Sequence, residues 1–153
     1  MKKLLCIVLL ILGFQVYSFS QAIDSLKLKK GEIPEGYSES SKLLCKTVHA
    51  CSFYEQIDLY VSFLGELVKK DFQSFAKKGD NGSILYFEFE KEFTGQAFLE
   101  GLLWGGSGKP SKQKSDEYFV KGKILIIWSF NLDNDLKKTS KEKVISILKG
   151  AVQ

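Results

Sequence analysis

Between Ser52 and Phe75, apolar residues recur every three or four positions, at Phe53, Ile57, Tyr60, Val61, Leu64, Leu67, Val68, Phe72 and Phe75. That spacing predicts one long amphipathic helix across the stretch. Ser52 and Glu55 predict a capping box at its start, with the serine hydroxyl accepting from a backbone N–H three residues on. So wide an apolar stripe needs a broad apolar cover. The period changes to two after Gly82, where Leu85, Phe87, Phe89 and Phe93 alternate with Tyr86, Glu88, Glu90 and Glu92. This is the pattern of a half-buried strand, with its phenylalanines turned toward the helix.

Lys77 to Gly82 reads as the stop of the helix and a turn, and Asn81-Gly82-Ser83, an acceptor triplet for N-glycosylation, is read as part of that turn. Ala97 to Trp104 suits a second strand or a short helix. Gly105 to Glu117 is a polar loop. Tyr118 to Phe130 carries the densest apolar run, broken by Lys121-Gly122-Lys123, which predicts a tight turn. Ile124 to Trp128 is apolar on both faces and predicts a central strand. Thr139 to Glu142 forms a second capping box, with Val144, Ile145 and Leu148 on the buried side of a short C-terminal helix.

These elements predict an α+β fold of two layers, the long helix packed on a twisted antiparallel sheet of three to five strands. In layout only, a long helix followed by antiparallel strands resembles the cystatin-like wrapped-sheet folds. Residues 1–20 read as a cleaved signal peptide, 21–42 as an N-terminal arm broken by Gly31, Pro34 and Gly36, and 43–153 as one globular domain. Ile23, Leu26 and Leu28 are the arm residues able to dock.

The signal reading rests on Lys2 and Lys3, the apolar run Leu4 to Leu12, and Ser18-Phe19-Ser20 ahead of Gln21. Cys6 lies too early to be a lipidated cysteine. The expected product is periplasmic or secreted, cut near Ser20 and Gln21, with no stable membrane anchor. Of the 22 basic residues, all lysines, two lie in the signal, leaving 20 against 18 acidic residues. Near balance and the absence of arginine argue against nucleic acid as a partner.

Cys45 and Cys51 survive cleavage, and in an oxidising compartment they are read as a disulfide. The bridge requires that no regular helix run unbroken from one to the other. His49, the only histidine, lies between them, so a Cys45/His49/Cys51 metal site is the rival reading, with thiolate and imidazole as suitable ligands. A cysteine nucleophile would need His49 in a geometry that such close neighbours need not adopt.

Glu88, Glu90 and Glu92 form a row on one strand face, and Asp133 with Asp135 makes a second acidic pair. Carboxylate pairs do acid/base work, so a carboxylate-dependent hydrolase is the enzymatic alternative; the solvated face of a strand is the plainer reading. Trp104-Gly105-Gly106-Ser107-Gly108-Lys109-Pro110 is not a phosphate-binding loop, since Leu103 and Pro110 stand where a glycine and a hydroxyl residue are needed. The functional reading is a loop at a binding edge, with Trp104, Gly105, Gly106, Gly108, Tyr118 and Trp128 as candidate contacts; the plainer reading makes Trp104 and Trp128 core residues and the loop a linker. The function expected from these features is a non-catalytic exported domain of a bacterial envelope or secretion. It binds a protein partner or a small apolar ligand, without metal or cofactor.

Overall fold

A computed structural model describes residues 22–150. The expected signal peptide and its cleavage point at Ser20 and Gln21 lie outside the described residues. In chain order the elements are α1 (Ala22–Leu26), a 3-10 turn (Lys30–Glu32), β1 (Ser38–Ser40), α2 (Val48–Glu55), a 3-10 turn (Ile57–Tyr60) and α3 (Val61–Leu64). Next come β2 (Leu67–Ala76), β3 (Gly82–Phe89), α4 (Gln96–Trp104), a 3-10 turn (Gly105–Ser107), β4 (Glu117–Lys121), β5 (Ile124–Ser129) and α5 (Asp135–Gly150). The five strands form one antiparallel sheet in the order β1-β2-β3-β5-β4, so the fold is α+β.

The single helix expected over Ser52 to Phe75 is not formed. Its first half is the broken run α2, 3-10 turn and α3; its second half is β2. The break falls at Gly65, whose φ of 90° lies where side chains are disfavoured, and whose N–H returns to Val61 O at 2.8 Å to close the last helical turn. Beyond it, Phe72 pairs with Leu85 and Lys70 with Phe87 in the β2–β3 ladder. The three-and-four spacing of Val68, Phe72 and Phe75 is therefore incidental: Phe72 packs into one core and Phe75 into another, on opposite faces of a strand. The cap also differs from expectation. Thr47, not Ser52, caps α2, accepting from the Ala50 N–H at 3.2 Å. With the long helix gone, the cystatin-like layout goes too.

The layering differs from expectation as well. One core joins Phe53 and Ile57, Leu64 of α3, and Leu99 and Leu103 of α4 to Leu85 and Phe87 of β3 and Ile127 of β5. The other joins Ile23 and Leu26 of α1 and Leu136 and Val144 of α5 to Ile84, Tyr86, Ile126 and Trp128. Both faces of the sheet are covered, so there are three layers, not two. β3 is buried along its whole length, where half-burial was expected. β5 is buried throughout as a central strand, as its two-sided apolar run predicts.

The N-terminal arm is built into this second core. Ile23, Leu26 and Leu28 are buried, and Gln73 of β2 serves Leu28 twice, accepting its N–H at 2.8 Å and donating to its carbonyl at 3.0 Å. Burying a side chain of this size contributes about 1.5–3 kcal/mol relative to exposure, which suffices to seat a short α1 that has little intrinsic helix stability.

Ala97 to Trp104 takes the helical alternative, as α4. The terminal helix is 16 residues long and begins at Asp135, with Asn134 Oδ1 accepting from the Lys137 N–H at 2.7 Å. Thr139 sits inside it, so the second capping box is not used either. The Gly122-Lys123 turn joins β4 to β5 as a tight hairpin. Asn81-Gly82 closes the β2–β3 hairpin, and Gly82 is required by close approach: a Cβ there would lie 2.5 Å from the Ser129 carbonyl oxygen and closer still to the Phe130 ring.

Candidate functional site

Three groups of residues are candidates. The first lies at the end of α4. Trp104 stacks at a tilt on Tyr118, with ring centroids 5.5 Å apart, and its Nε1–H donates to the Asp116 carbonyl at 2.8 Å. The Tyr118 hydroxyl donates to Glu100, and burial together with this carboxylate pushes its pKa up to about 12. Gly105 comes directly after Trp104, while Gly106 and Gly108 are exposed. The loop is held by its own polar groups: the single O–H of Ser107 has the Trp104 and Lys109 carbonyls within reach, at 2.9 and 3.0 Å, and Lys114 Nζ donates to the Trp104 carbonyl at 3.2 Å.

The structure thus brings Trp104, Gly105 and Tyr118 together and sends Trp128 elsewhere. Tyr118 faces the first core; Glu117, its neighbour, pairs with Trp128, so Trp128 faces the second core. It is fully buried, and its Nε1–H donates to Ser140 Oγ at 2.8 Å.

The second group surrounds the disulfide. Cys45 and Cys51 are bonded, with Cα atoms 5.6 Å apart, and α2 begins only at Val48, between them. His49 is exposed on α2. As a disulfide the pair offers no thiolate, and among the described residues no cluster of three or more His, Cys, Asp or Glu side chains is placed to hold a metal.

Beneath the bridge lies a polar network that no sequence pattern announces. The Leu44 N–H donates to Ser83 Oγ at 2.9 Å and the Lys46 N–H to Ser129 Oγ at 2.8 Å. Ser129 Oγ donates in turn to Asp116 Oδ1 at 2.6 Å, and Thr47 Oγ1 donates to Asp116 Oδ2. Asp116 is fully buried, and burial pushes its carboxyl above the usual range, against the hydrogen bonds from Ser129 and Thr47, which hold it down. Every group here is engaged in anchoring the 44–47 loop to the sheet. Ser129 Oγ has both of its roles filled, so it is no nucleophile in waiting. Residues 47, 83, 116 and 129 are far apart in the chain, and no local pattern joins them.

With its loop anchored at two hydroxyls, the disulfide is expected to be a secondary support. The double variant Cys45→Ser/Cys51→Ser should lose about 2 kcal/mol in denaturant unfolding, the scale set by so short a loop, while keeping its far-ultraviolet circular dichroism. A chain that is unfolded without denaturant would show that the bridge holds the domain itself.

The carboxylates of the hydrolase reading do not form a row. β3 ends at Phe89, leaving Glu90 and Glu92 exposed beyond it, whereas Glu88 is buried at 4 % exposure on the face covered by α1 and α5. The second layer of helices is the reason, since a face read as solvated is in fact covered. Asp133 is exposed, and Asp135 pairs with Lys138 at 3.6 Å.

The third group escapes the sequence pattern. Phe63 of α3 is 65 % exposed, yet its ring stacks parallel on Phe98 of α4 at 5.3 Å. Phe98 touches Tyr60 at 5.2 Å, Tyr60 touches Phe53 at 5.9 Å, and Phe53 meets Phe87 of β3 at 5.3 Å. A continuous file of rings therefore runs from the sheet to the surface. Beside Phe63 a groove of about 380 Å³ is bordered by Glu66, Glu90, Lys91 and Glu92, and none of these three carboxylates is paired with a cation among the described residues. Leu59 is also exposed, at 71 %. The exposure of Phe63 was concealed because its position on the expected helix lay next to the apolar stripe.

No protein-family model, curated protein or solved structure matches this chain. No helix of the described residues is long and apolar enough to cross a membrane.

Proposed function

We propose that the protein is an exported, non-catalytic binding domain that engages a protein partner through the aromatic surface around Phe63. The observation that carries this reading is the stacking of an exposed phenylalanine on a ring file rooted in the core. A ring fixed in this way loses little freedom when it is covered, which is what a binding anchor requires. Glu66, Glu90 and Glu92 beside it, unpaired among the described residues, suit a partner segment that is apolar and bears lysine or arginine. The Cys45–Cys51 bridge supports an oxidising compartment. The carboxylate-hydrolase alternative has less to rest on, with Glu88 separated from Glu90 and Glu92 and the Asp116 carboxylate committed to anchoring a loop.

The test is capture from the exported fraction of the source cells on immobilised protein, with Phe63→Ser as the paired bait. So exposed a side chain contributes little to stability, and the unfolding midpoint of the variant should match the parent. Any partner held by the parent should be bound at least about tenfold more weakly by Phe63→Ser and should be released by salt. Equal retention by both baits removes this surface from consideration. Turnover of an exported substrate that is abolished by Glu88→Gln would favour the enzyme instead.

A further inference from the structure

The strand order leaves β4 at one edge of the sheet, paired with β5 alone. Gly122 and Lys123 join the two strands, with Gly122 at a φ of 57° and no positive φ at Lys123, the geometry of a type II′ hairpin. The residues flanking such a turn, Lys121 and Ile124, exchange both backbone hydrogen bonds, and the pattern alternates from there. Phe119 and Glu117 therefore bond to β5, while the N–H and C=O groups of Tyr118 and Val120 point away from the sheet. Among the described residues no other backbone group bonds to them.

Sheet edges are commonly guarded by bulges, prolines or lysines. The far edge here is guarded. β1 is a short Ser-Glu-Ser strand, and the part of β2 that it leaves open has a bulge between Leu67 and Lys69 and lysines at 69 and 70. β4 has neither bulge nor proline, and it carries Tyr118, Phe119 and Val120 in succession. These side chains extend both cores to the edge: Tyr118 and Val120 pack against the first, Phe119 against the second, and all three stay partly exposed.

We propose that β4 pairs with β4 of a second copy of this chain, antiparallel, about a twofold axis at Phe119. In that register Tyr118 lies opposite Val120 of the second copy, so the outward N–H and C=O groups of both meet as hydrogen-bonded pairs. The two Phe119 rings meet at the centre, in a pair without backbone bonds, where side chains come closest. Glu117 lies opposite Lys121, which is exposed and has no carboxylate partner among the described residues. Glu117 already accepts from Lys137 and Lys141, one at each oxygen, but each oxygen keeps a second lone pair, and Glu142 lines the same groove. The neighbouring registers of the same parity set Lys121 opposite Ser115 or Phe119 and lose the charge match. Five paired residues make a small interface, so the dimer is a weak one. It shares no residue with the Phe63 surface, so either reading can fail without the other.

The experiment is sedimentation equilibrium of the purified protein from micromolar to millimolar concentration, with amide hydrogen exchange read by NMR on the same samples. The average mass should rise from that of the monomer toward twice that value, and exchange at the Tyr118 and Val120 amides should slow as it rises. Lys121→Glu sets a glutamate opposite Glu117 at both symmetry-related positions and should weaken the dimer at least about tenfold. Its side chain is exposed, so the unfolding midpoint of this variant should match the parent. Val120→Pro removes an outward N–H that β5 does not use, and should abolish the dimer while the circular dichroism of the sheet persists. A protein that stays monomeric throughout, a dimer that either folded variant leaves intact, or protection of the two amides that arises only when another protein is added would each overturn the proposal.

Discussion

Replacing Trp128 by alanine is expected to destabilise the protein by about 3–5 kcal/mol, the range for removing a large aromatic side chain from a packed core. Trp128 is fully buried between the sheet and α5, among Ile84, Ile126 and Leu136, and its indole N–H is satisfied by Ser140 Oγ at 2.8 Å. Truncation removes the packing and one hydrogen bond to Ser140 Oγ, a hydroxyl that also meets Tyr86. Urea unfolding monitored by circular dichroism checks this, and Trp128→Phe should recover most of the loss by refilling the volume. Were Trp128 instead an exposed binding contact, alanine would change stability by no more than about 0.5 kcal/mol. The measurement therefore separates the core role from the binding-edge role, both of which the sequence allows.

Glu117→Ala should cost about 3 kcal/mol, the lower end of the range for removing one member of a buried ion pair. The lower end applies because Glu117 keeps 22 % exposure and can share its load with water. The damage comes from Lys137, which at 2 % exposure is left as a buried ammonium with no hydrogen-bonded carboxylate. Glu117→Gln should be milder, since its amide oxygen still accepts from one lysine.

The same residues impose a pH dependence. Burial raises the Glu117 pKa, but the hydrogen bonds from Lys137 and Lys141 outweigh it and hold the carboxyl below its ordinary value of 4.5. A depressed folded pKa means stabilisation that is present above the unfolded value and lost as pH falls through the folded one. The stability gap between the parent and Glu117→Ala should therefore be full near neutrality and shrink in acid. The gap is the quantity to measure, because Asp116, whose pKa is raised chiefly by burial, runs the other way: its contribution is present below its ordinary 3.8 and is lost as pH rises through the folded value. A gap that is constant from neutral pH into acid would remove the Lys137–Glu117 pair as its source.

Much of the local detail was legible in the chain. The period-two run after Gly82 is a strand, the Lys121-Gly122-Lys123 interruption is a tight turn, the Ile124–Trp128 run is a central strand, and Cys45 is bridged to Cys51. In each case the deciding physics is short in range: side-chain alternation, turn chemistry, or two cysteines a few residues apart. Part of the Trp104 group was legible as well, since Trp104 and Gly105 are adjacent and Tyr118 lies just past the same loop.

The segment Leu67–Ala76 was not legible, because Val68, Phe72 and Phe75 fit a helix stripe as well as they fit two faces of a strand. The choice was made by β3, which offers it a ladder partner, and by Gly65, which ends the helical run before it. The same holds for the faces. Glu88 looks solvated until α1 and α5 cover it, and Trp128 looks like a companion of Tyr118 until the β4–β5 register places them on opposite sides.

The α+β class, the disulfide, the turns and the central strand were thus settled by the order of residues alone, because each depends on neighbours within a few positions. Packing settled that half of a helix-like stretch is a strand and that the sheet is covered on both faces. It also brought Thr47 and Ser129 to Asp116, and Lys137 and Lys141 to Glu117. Strand pairing, two-sided burial and long-range ion pairs depend on partners that sequence spacing does not encode.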